Sequence, residues 1–219
     1  MTHREPGPPK ARFQAVVFDL DGTLVDTMPV VFRAYQYAVA PYRPAPSREE
    51  IMAVLGGPIQ VGLERLLPPD APREEAIRRV WAYADAHRHE VELLDGAVDL
   101  LGQLREAGVR VGLWTGRDRA STRVILDAFG LWDYLQAVVC GDDLPTHKPD
   151  PQGLFVVLNQ MGAEPAQSAF VGDSIHDVRA GLRAGVYTVA VGPEGPYLPE
   201  RADLVVPNLP ALRPYLFQV

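Results

Sequence analysis

The segment Gln14–Asp26, QAVVFDLDGTLVD, decides the fold of this chain. Its first five residues, 14–18, are mostly apolar and β-branched, which is typical of a short buried strand. The run stops abruptly at Asp19, and after one leucine the acidic Asp21 and Gly22 follow. In an open parallel sheet, ligands bind in the crevice outside the carboxyl ends of the strands. The segment therefore predicts one buried strand, with acidic side chains at its carboxyl end that line a ligand site.

The rest of the chain divides into two patterns. From residue 94 onward, short apolar runs alternate with helical stretches, and glycine follows several of the helices. This alternation predicts an α/β fold, a doubly wound parallel sheet that comprises 13–26 and 94–219. Residues 27–93 show only helical patterns and predict an inserted all-helical cap domain. Residues 1–12 are polar and proline-rich, and we expect a flexible leader there.

The composition excludes several classes of protein. The chain has 219 residues, 47% of them hydrophobic, and a formal net charge of −7, which argues against a broad nucleic-acid or anionic-membrane surface. No apolar run is long enough to span a membrane, and the opening residues have no apolar core of the signal-peptide type. The single cysteine, Cys140, rules out an intramolecular disulfide or a thiolate metal cluster. We expect a cytoplasmic protein that binds neither nucleic acid nor membrane.

Polar residues at the ends of the predicted strands should meet at one edge of the sheet. Several carboxylates in one crevice repel each other, and a cation relieves that repulsion. Mg²⁺ suits such a set better than zinc, because the strand ends supply no group of cysteine and histidine ligands. In chain order the strand-end residues are Asp19, Asp21, Thr115, Gly116, Lys148, Asp173 and Asp177.

This set fits phosphoryl transfer. A carboxylate can attack phosphorus directly, and a second carboxyl can protonate the leaving alcohol and then deprotonate water. Asp19 and Asp21, two residues apart, suit this pair. Thr115 would donate a hydrogen bond to a phosphoryl oxygen, although it could instead cap the next helix. Lys148 would neutralise negative charge, and it is one of only two lysines among 21 basic residues.

The same residues resemble the four motifs of the haloacid dehalogenase-like hydrolases. Residues 19–26, DLDGTLVD, are similar to the first motif, Thr115-Gly116 to the second, 148–151 to the third and 172–177 to the fourth. The helical insert is similar to the mobile cap of such enzymes. The likeness is nearest to the phosphoglycolate phosphatase and β-phosphoglucomutase branch.

The resemblance also implies roles for individual residues. Asp19 would be the nucleophile and Asp21 the acid/base. Mg²⁺ would be held by the Asp19 carboxylate, the backbone carbonyl of Asp21 and Asp173, with Asp177 close behind.

Substrate contacts are predicted at positions without a shared motif. Gly116 stands where relatives often have asparagine. A backbone N–H contact to phosphate would survive that change, but a side-chain contact would not, and this leaves the role of Arg117 open. Gly57, in a break between cap helices, and Arg33, in the first cap helix, are further candidates for contacting the substrate. The alternative for both arginines, which the sequence alone favours, is a solvent-facing charge.

The sequence thus predicts a Mg²⁺-dependent phosphatase that acts on a small phosphorylated metabolite through an aspartyl phosphate, as a monomer or a homodimer. One alternative is a phosphomutase of the β-phosphoglucomutase type, in which a sugar accepts the phosphoryl group. Another is a non-catalytic phospho-accepting signalling module, but receiver domains have neither the second carboxyl nor a helical cap. The substrate stays open among phosphoglycolate, sugar phosphates, nucleoside monophosphates and pyrophosphate.

Overall fold

The computed structural model describes residues 10–55, 59–192 and 201–218. The chain forms two compact units: a core unit, which comprises residues up to 23 and from 94 onward, and a helical unit, residues 24–93. Within the described ranges, no helix has both the length and the apolar composition that a membrane span requires.

The described elements are as follows, in chain order. The strands are β1 (Lys10–Ala11), β2 (Ala15–Phe18), β3 (Val25–Asp26), β4 (Glu92–Leu93), β5 (Arg110–Trp114), β6 (Ala137–Val139), β7 (Ser168–Gly172), β8 (Tyr187–Val191), β9 (Leu204–Val206) and β10 (Phe217–Gln218). The helices are α1 (Met28–Val39), α2 (Arg48–Met52), α3 (Ile59–Leu66), α4 (Arg73–Ala86), α5 (Ala97–Glu106), α6 (Arg119–Ala128), α7 (Gln152–Met161), α8 (Ile175–Ala184) and α9 (Leu209–Leu216).

The core unit is built on a parallel sheet with the strand order β6-β5-β2-β7-β8-β9. Strand β2 lies between β5 and β7, and Val17 pairs with Gly112 on one side and Phe170 on the other. The chain extends the sheet from β2 toward β6 and then returns to build the other half from β7 to β9. The strand order therefore reverses at β2, which is where an open α/β sheet places its ligand crevice. The predicted α/β fold with a doubly wound parallel sheet is confirmed.

The side chains of β2 suit a strand at the centre of the sheet. All four of its side chains are fully buried, as expected for a parallel strand covered on both faces. Helix α7 packs against β2, β5 and β6, and α8 packs against β7 and β8. The rings of Trp114 and Phe170 lie 5.4 Å apart in the same apolar cluster.

Two short strand pairs differ from the predictions. Lys10 and Ala11 pair antiparallel with β10, so this part of the predicted flexible leader is ordered. In the helical unit, β3 pairs antiparallel with β4, so the prediction that 27–93 contains only helices is wrong at Glu92–Leu93. Strands of two residues are too short to produce an alternating pattern, and for that reason the sequence does not reveal them.

The helical unit has its own apolar core. Helices α1 and α4 pack together, and α3 packs on α4. Ile51 and Leu63 are fully buried in this cluster. Helix α2 begins with a capping box, in which the Ser47 hydroxyl accepts from the Glu50 amide and the Glu50 carboxylate accepts from the Ser47 amide.

Two helix glycines of the core unit give a matched test of packing. A Cβ at Gly153 would lie 2.2 Å from Nε1 of the buried Trp114, whereas a Cβ at Gly102 would meet no atom within 4 Å. Gly102→Ala should raise the free energy of unfolding by about 0.5–1 kcal/mol, because alanine loses less backbone freedom on folding. Gly153→Ala should lower it by about 1–3 kcal/mol through overpacking. Urea denaturation of both variants measures the difference, and equal stabilisation would contradict it.

Candidate functional site

The turn after β2 places Asp19 at the carboxyl edge of the sheet. The Asp19 amide donates to the carbonyl of Val171 in β7 at 2.9 Å, which extends the strand pairing by one residue. Asp19 is only 7% exposed. The chain then turns through Gly22, whose φ of +77° favours glycine. A Cβ on Gly22 would lie 2.1 Å from Oδ2 of Asp173, so glycine also makes room for that carboxylate.

Three carboxylates meet at this edge. Asp19, Asp173 and Asp177 each present an oxygen within 4.8 Å of the others. Asp177 is fixed by a capping box at the start of α8: the Ser174 hydroxyl accepts from the Asp177 amide at 3.2 Å, and Oδ2 of Asp177 accepts from the Ser174 amide at 3.1 Å. The helix start thus gives Asp177 a structural role, and the same box directs its other oxygen toward the cluster.

Lys148 binds two of these carboxylates. Its Nζ lies 2.7 Å from Oδ1 of Asp19 and 2.7 Å from Oδ1 of Asp177. The lysine side chain is 8% exposed, and its ammonium sits 5.0 Å from the centre of the Trp114 ring and 5.3 Å from that of Phe170. Burial by itself lowers the pKa of Lys148, but Asp177 and Asp19 outweigh that effect and raise it. The ammonium is therefore charged at neutral pH.

Lys148 alone does not compensate the cluster. Burial raises the pKa of Asp19 to about 7, even though Lys148 acts in the opposite direction. Burial, together with the charges of Asp19 and Asp177, raises the pKa of Asp173 to about 8. Near neutral pH both carboxyls are therefore partly protonated, and a further cation would favour their ionised forms. The donors are all carboxylate oxygens, which are the ligands that a hard divalent ion such as Mg²⁺ prefers.

Asp21 is held separately from the three carboxylates. Nε of Arg117 donates to its Oδ2 at 3.1 Å, and Nη2 donates to its Oδ1 at 2.5 Å. The side chain of Arg117 is 15% exposed. It therefore is not the solvent-facing charge that we considered, and in this structure it pairs with the predicted acid/base residue.

The second predicted motif forms a tight loop after β5. Thr115 does not cap the following helix, because Asp118 accepts from the Ser121 amide and caps α6. The Thr115 hydroxyl oxygen instead accepts from the Arg117 amide at 3.1 Å. A Cβ on Gly116 would meet no atom within 4 Å, so the structure gives no packing reason for glycine at this position.

Sequence reasoning missed Gly141, and it gave Ser174 no role of its own although Ser174 lies within the fourth motif. A Cβ on Gly141 would lie 2.1 Å from the carbonyl oxygen of Gly116, so only glycine lets the two loops approach this closely. The Gly141 amide donates to the Arg117 carbonyl at 2.7 Å. The available signal for Gly141 was its position two residues after the end of β6. For Ser174 it was the spacing of three residues to Asp177, which is the capping-box pattern.

Arg33 and Gly57 are the remaining predicted substrate contacts. Arg33 is in the helical unit, where its guanidinium pairs with Glu90 and donates to the carbonyl of Pro29 at 3.0 Å. The hydrogen bond to Glu90 raises the pKa of Arg33. Contact between Arg33 and a substrate stays a prediction. Gly57 lies outside the described residues.

Comparison with known proteins identifies the family. The family model of the haloacid dehalogenase-like hydrolases matches residues 16–191. The chain therefore belongs to the haloacid dehalogenase-like hydrolase family, and the resemblance stated above is confirmed.

Two curated relatives show where in this family the similarity lies. Phosphoglycolate phosphatase 1 of Pseudomonas aeruginosa is 34% identical over 213 residues, which is 91% of this chain and 78% of that protein. Pyrophosphatase PpaX of Bacillus velezensis is 29% identical over 181 residues, which is 82% of this chain and 83% of that protein. A crystal structure described as a predicted phosphoglycolate phosphatase, from Haemophilus somnus, superposes with a TM-score of 0.82. It is 23% identical, covers 90% of this chain and 95% of its own, and supports the fold.

The contact between Gly22 and Asp173 predicts a specific loss of cation binding. In Gly22→Ala the new Cβ would displace the Asp173 carboxylate, and the strained φ should cost about 1 kcal/mol of stability. Gly108→Ala is the matched control, since Gly108 has a φ of +72° and a Cβ there would meet no atom within 4 Å. Both variants should melt earlier than wild type, but added Mg²⁺ should raise the melting temperature of wild type and Gly108→Ala and not that of Gly22→Ala. An equal Mg²⁺ response in the two variants contradicts this prediction.

Proposed function

We propose that this chain is a Mg²⁺-dependent phosphatase that hydrolyses a small phosphate ester, of the phosphoglycolate type, through an aspartyl phosphate on Asp19. One observation supports this most directly. The buried Asp19 carboxylate bonds to Lys148 and faces Asp173 and Asp177 at the edge of the sheet where α/β folds bind ligands. The similarity to a named phosphoglycolate phosphatase over 91% of the chain supports the substrate type.

In the first half of the proposed reaction, an Asp19 oxygen attacks phosphorus. A bond forms between that oxygen and phosphorus, and the bond from phosphorus to the ester oxygen breaks. Asp21, in its protonated form, gives its proton to the departing alcohol oxygen. Lys148 Nζ, 2.7 Å from Asp19, offsets the charge that gathers on the transferring group. The Thr115 hydroxyl would donate to a phosphoryl oxygen, because its oxygen accepts from the Arg117 amide and its proton can be donated elsewhere.

In the second half, water attacks the aspartyl phosphate. Asp21, now ionised, takes a proton from that water, and the phosphorus–oxygen bond to Asp19 breaks. Inorganic phosphate leaves, and both carboxyls return to their starting states. Asp19, Asp173 and the Asp21 carbonyl would hold Mg²⁺, with Asp177 behind them. When bound, the ion would neutralise these carboxylates and stabilise the negative charge of the phosphoryl oxygens.

Replacing the nucleophile gives the first test. Asp19→Asn should lower kcat for 2-phosphoglycolate by more than about 10⁴-fold, because the amide cannot form the acyl phosphate. The fold should survive, since the amide can still accept from Lys148. The exposed Asp133 provides a matched control, and Asp133→Asn should keep the wild-type rate. Initial-rate release of inorganic phosphate measures both variants, and near wild-type activity in Asp19→Asn would remove the assignment of the nucleophile.

A substrate panel with and without chelator gives the second test. With Mg²⁺, the enzyme should release phosphate from 2-phosphoglycolate, and chelator should abolish release until Mg²⁺ is restored. Inorganic pyrophosphate belongs in the panel because of the similarity to PpaX. Conversion of a hexose 1-phosphate to its 6-phosphate without phosphate release would show a phosphomutase instead. A long-lived phosphorylated protein with no turnover of any ester would show a signalling module.

A further inference from the structure

The ammonium of Lys148 lies against two aromatic rings as well as two carboxylates. Its Nζ is 5.0 Å from the centre of the Trp114 ring and 5.3 Å from that of Phe170. Both distances are within the range in which the negative face of an aromatic ring attracts a cation. The proposed reaction gives a role to the lysine and to the carboxylates, but it leaves the two rings without one.

The two rings are held in the core unit by the strands on either side of β2. Trp114 is the last residue of β5 and is 4% exposed, and Phe170 lies in β7 and is fully buried. Their ring centres are 5.4 Å apart, and their planes are inclined by 36°. Buried side chains in a close-packed core keep one rotamer. The rings therefore give the ammonium a fixed support.

The helix that follows the Lys148 loop leaves room for the indole. A Cβ on Gly153, the second residue of α7, would lie 2.2 Å from Nε1 of Trp114 and 2.4 Å from its Cε2. The loop itself is tied at Pro149, whose carbonyl accepts from Nη1 of Arg183 at 3.0 Å. The indole therefore lies between β5 and the start of α7, next to the loop from which the lysine side chain extends.

The carboxylates alone do not set the position of the ammonium. Lysine carries its charge on a flexible four-carbon stem, and its N–H donors rotate freely among acceptors. The ammonium can therefore shift between Asp19 and Asp177 while it stays close to both. The rings add an attraction that depends on where the ammonium lies, and this attraction is strongest where the charge is shielded from water. Lys148 meets that condition, because its side chain is 8% exposed.

We propose that Trp114, with Phe170 beside it, is a positioning residue that holds the Lys148 ammonium at its 2.7 Å contact with Asp19. The inference rests on the proposed function, in which Lys148 offsets the charge on the transferring group. That charge is greatest in the transition state, so a displaced ammonium lowers kcat and leaves KM nearly unchanged. The effect depends on the charge distribution of the ring and not only on its volume.

Fluorinated tryptophan tests the ring without changing the fold. Fluorine withdraws electrons from the ring face and weakens its attraction for a cation, while the ring keeps nearly its size. We expect kcat for 2-phosphoglycolate to fall about 2-fold with 5-fluorotryptophan and about 3- to 5-fold with 5,6-difluorotryptophan, with KM nearly unchanged. Fluorines at these positions are remote from Nε1, the indole atom that Gly153 approaches most closely.

The labelled Trp114→Phe variant is the matched control. Its remaining tryptophans, Trp81 and Trp132, are 40% and 38% exposed, and their fluorination should leave the kcat of this variant unchanged. Unlabelled Trp114→Phe should keep kcat within about 3-fold of wild type, because phenylalanine retains a ring, whereas Trp114→Leu should lose about 5- to 30-fold. An unchanged kcat in labelled wild type overturns the inference. Equal losses in Trp114→Phe and Trp114→Leu also overturn it, because packing alone would then explain them.

Nuclear magnetic resonance of the lysines gives a readout that needs no turnover. Lys10 and Lys148 are the only lysines in the sequence, so carbon-13 labelling of lysine gives two ε-methylene signals, and Lys10→Arg assigns them. The two ε-protons of Lys148 should be shifted upfield by the rings and should differ from each other, as in a side chain held in one rotamer. In Trp114→Leu they should become equivalent as the ammonium moves. Protons that stay distinct in that variant overturn the inference.

The two measurements separate this inference from the proposed function. If the wild-type protein hydrolyses no ester, the proposed function fails, and the lysine signals still decide whether the ring positions the ammonium. If Trp114→Leu does not fold, the fluorinated wild-type protein decides the inference through its kcat and its lysine signals.

Discussion

The buried ion cluster of Lys148, Asp19 and Asp177 is the interaction on which the site depends. Removing a charge from water is costly, and the cost is offset only when partners are close and well placed. Here one ammonium lies 2.7 Å from each of two carboxylates that follow different strands. The end of β2, the loop after β6 and the start of α8 must therefore converge within a few ångströms. Any arrangement that separated them would leave charges buried without partners.

These segments can converge only if their backbones lie close to neighbouring groups, and glycines allow this because they have no side chain. Gly22 leaves room for the Asp173 carboxylate, and a Cβ on Gly172 would lie 2.4 Å from the side chain of Asp177. Gly141 allows the loop that contains Arg117 to pass close by. The ion cluster therefore depends on these glycines, because the carboxylates can lie this close together only where the neighbouring residues have no side chain.

The fold class and the location of the site could be predicted from sequence because they depend on local patterns. The mostly apolar run over 14–18 predicts a strand, and the rule that ligands bind at the carboxyl ends of parallel strands brings Asp19 and Asp173 together. The pairing of Arg117 with Asp21 could not be predicted, since the two residues are 96 positions apart and no periodicity links them. The strand pair β3–β4 was missed because two residues are too few to form a pattern. The role of Gly141 depends on a contact between loops, which only the structure shows.

The shapes of the two side chains explain why position 148 has a lysine and position 117 an arginine. Among 21 basic residues only two are lysines, so the lysine at 148 departs from the general preference for arginine. A compact ammonium can contact carboxylates on two different elements while it lies over the rings of Trp114 and Phe170, whereas a planar guanidinium needs more room. At 117 the geometry is the opposite, with a single carboxylate that offers both oxygens to a fork. The compact charge of Lys148 therefore serves two carboxylates on different elements, and the fork of Arg117 serves one carboxylate through both of its oxygens.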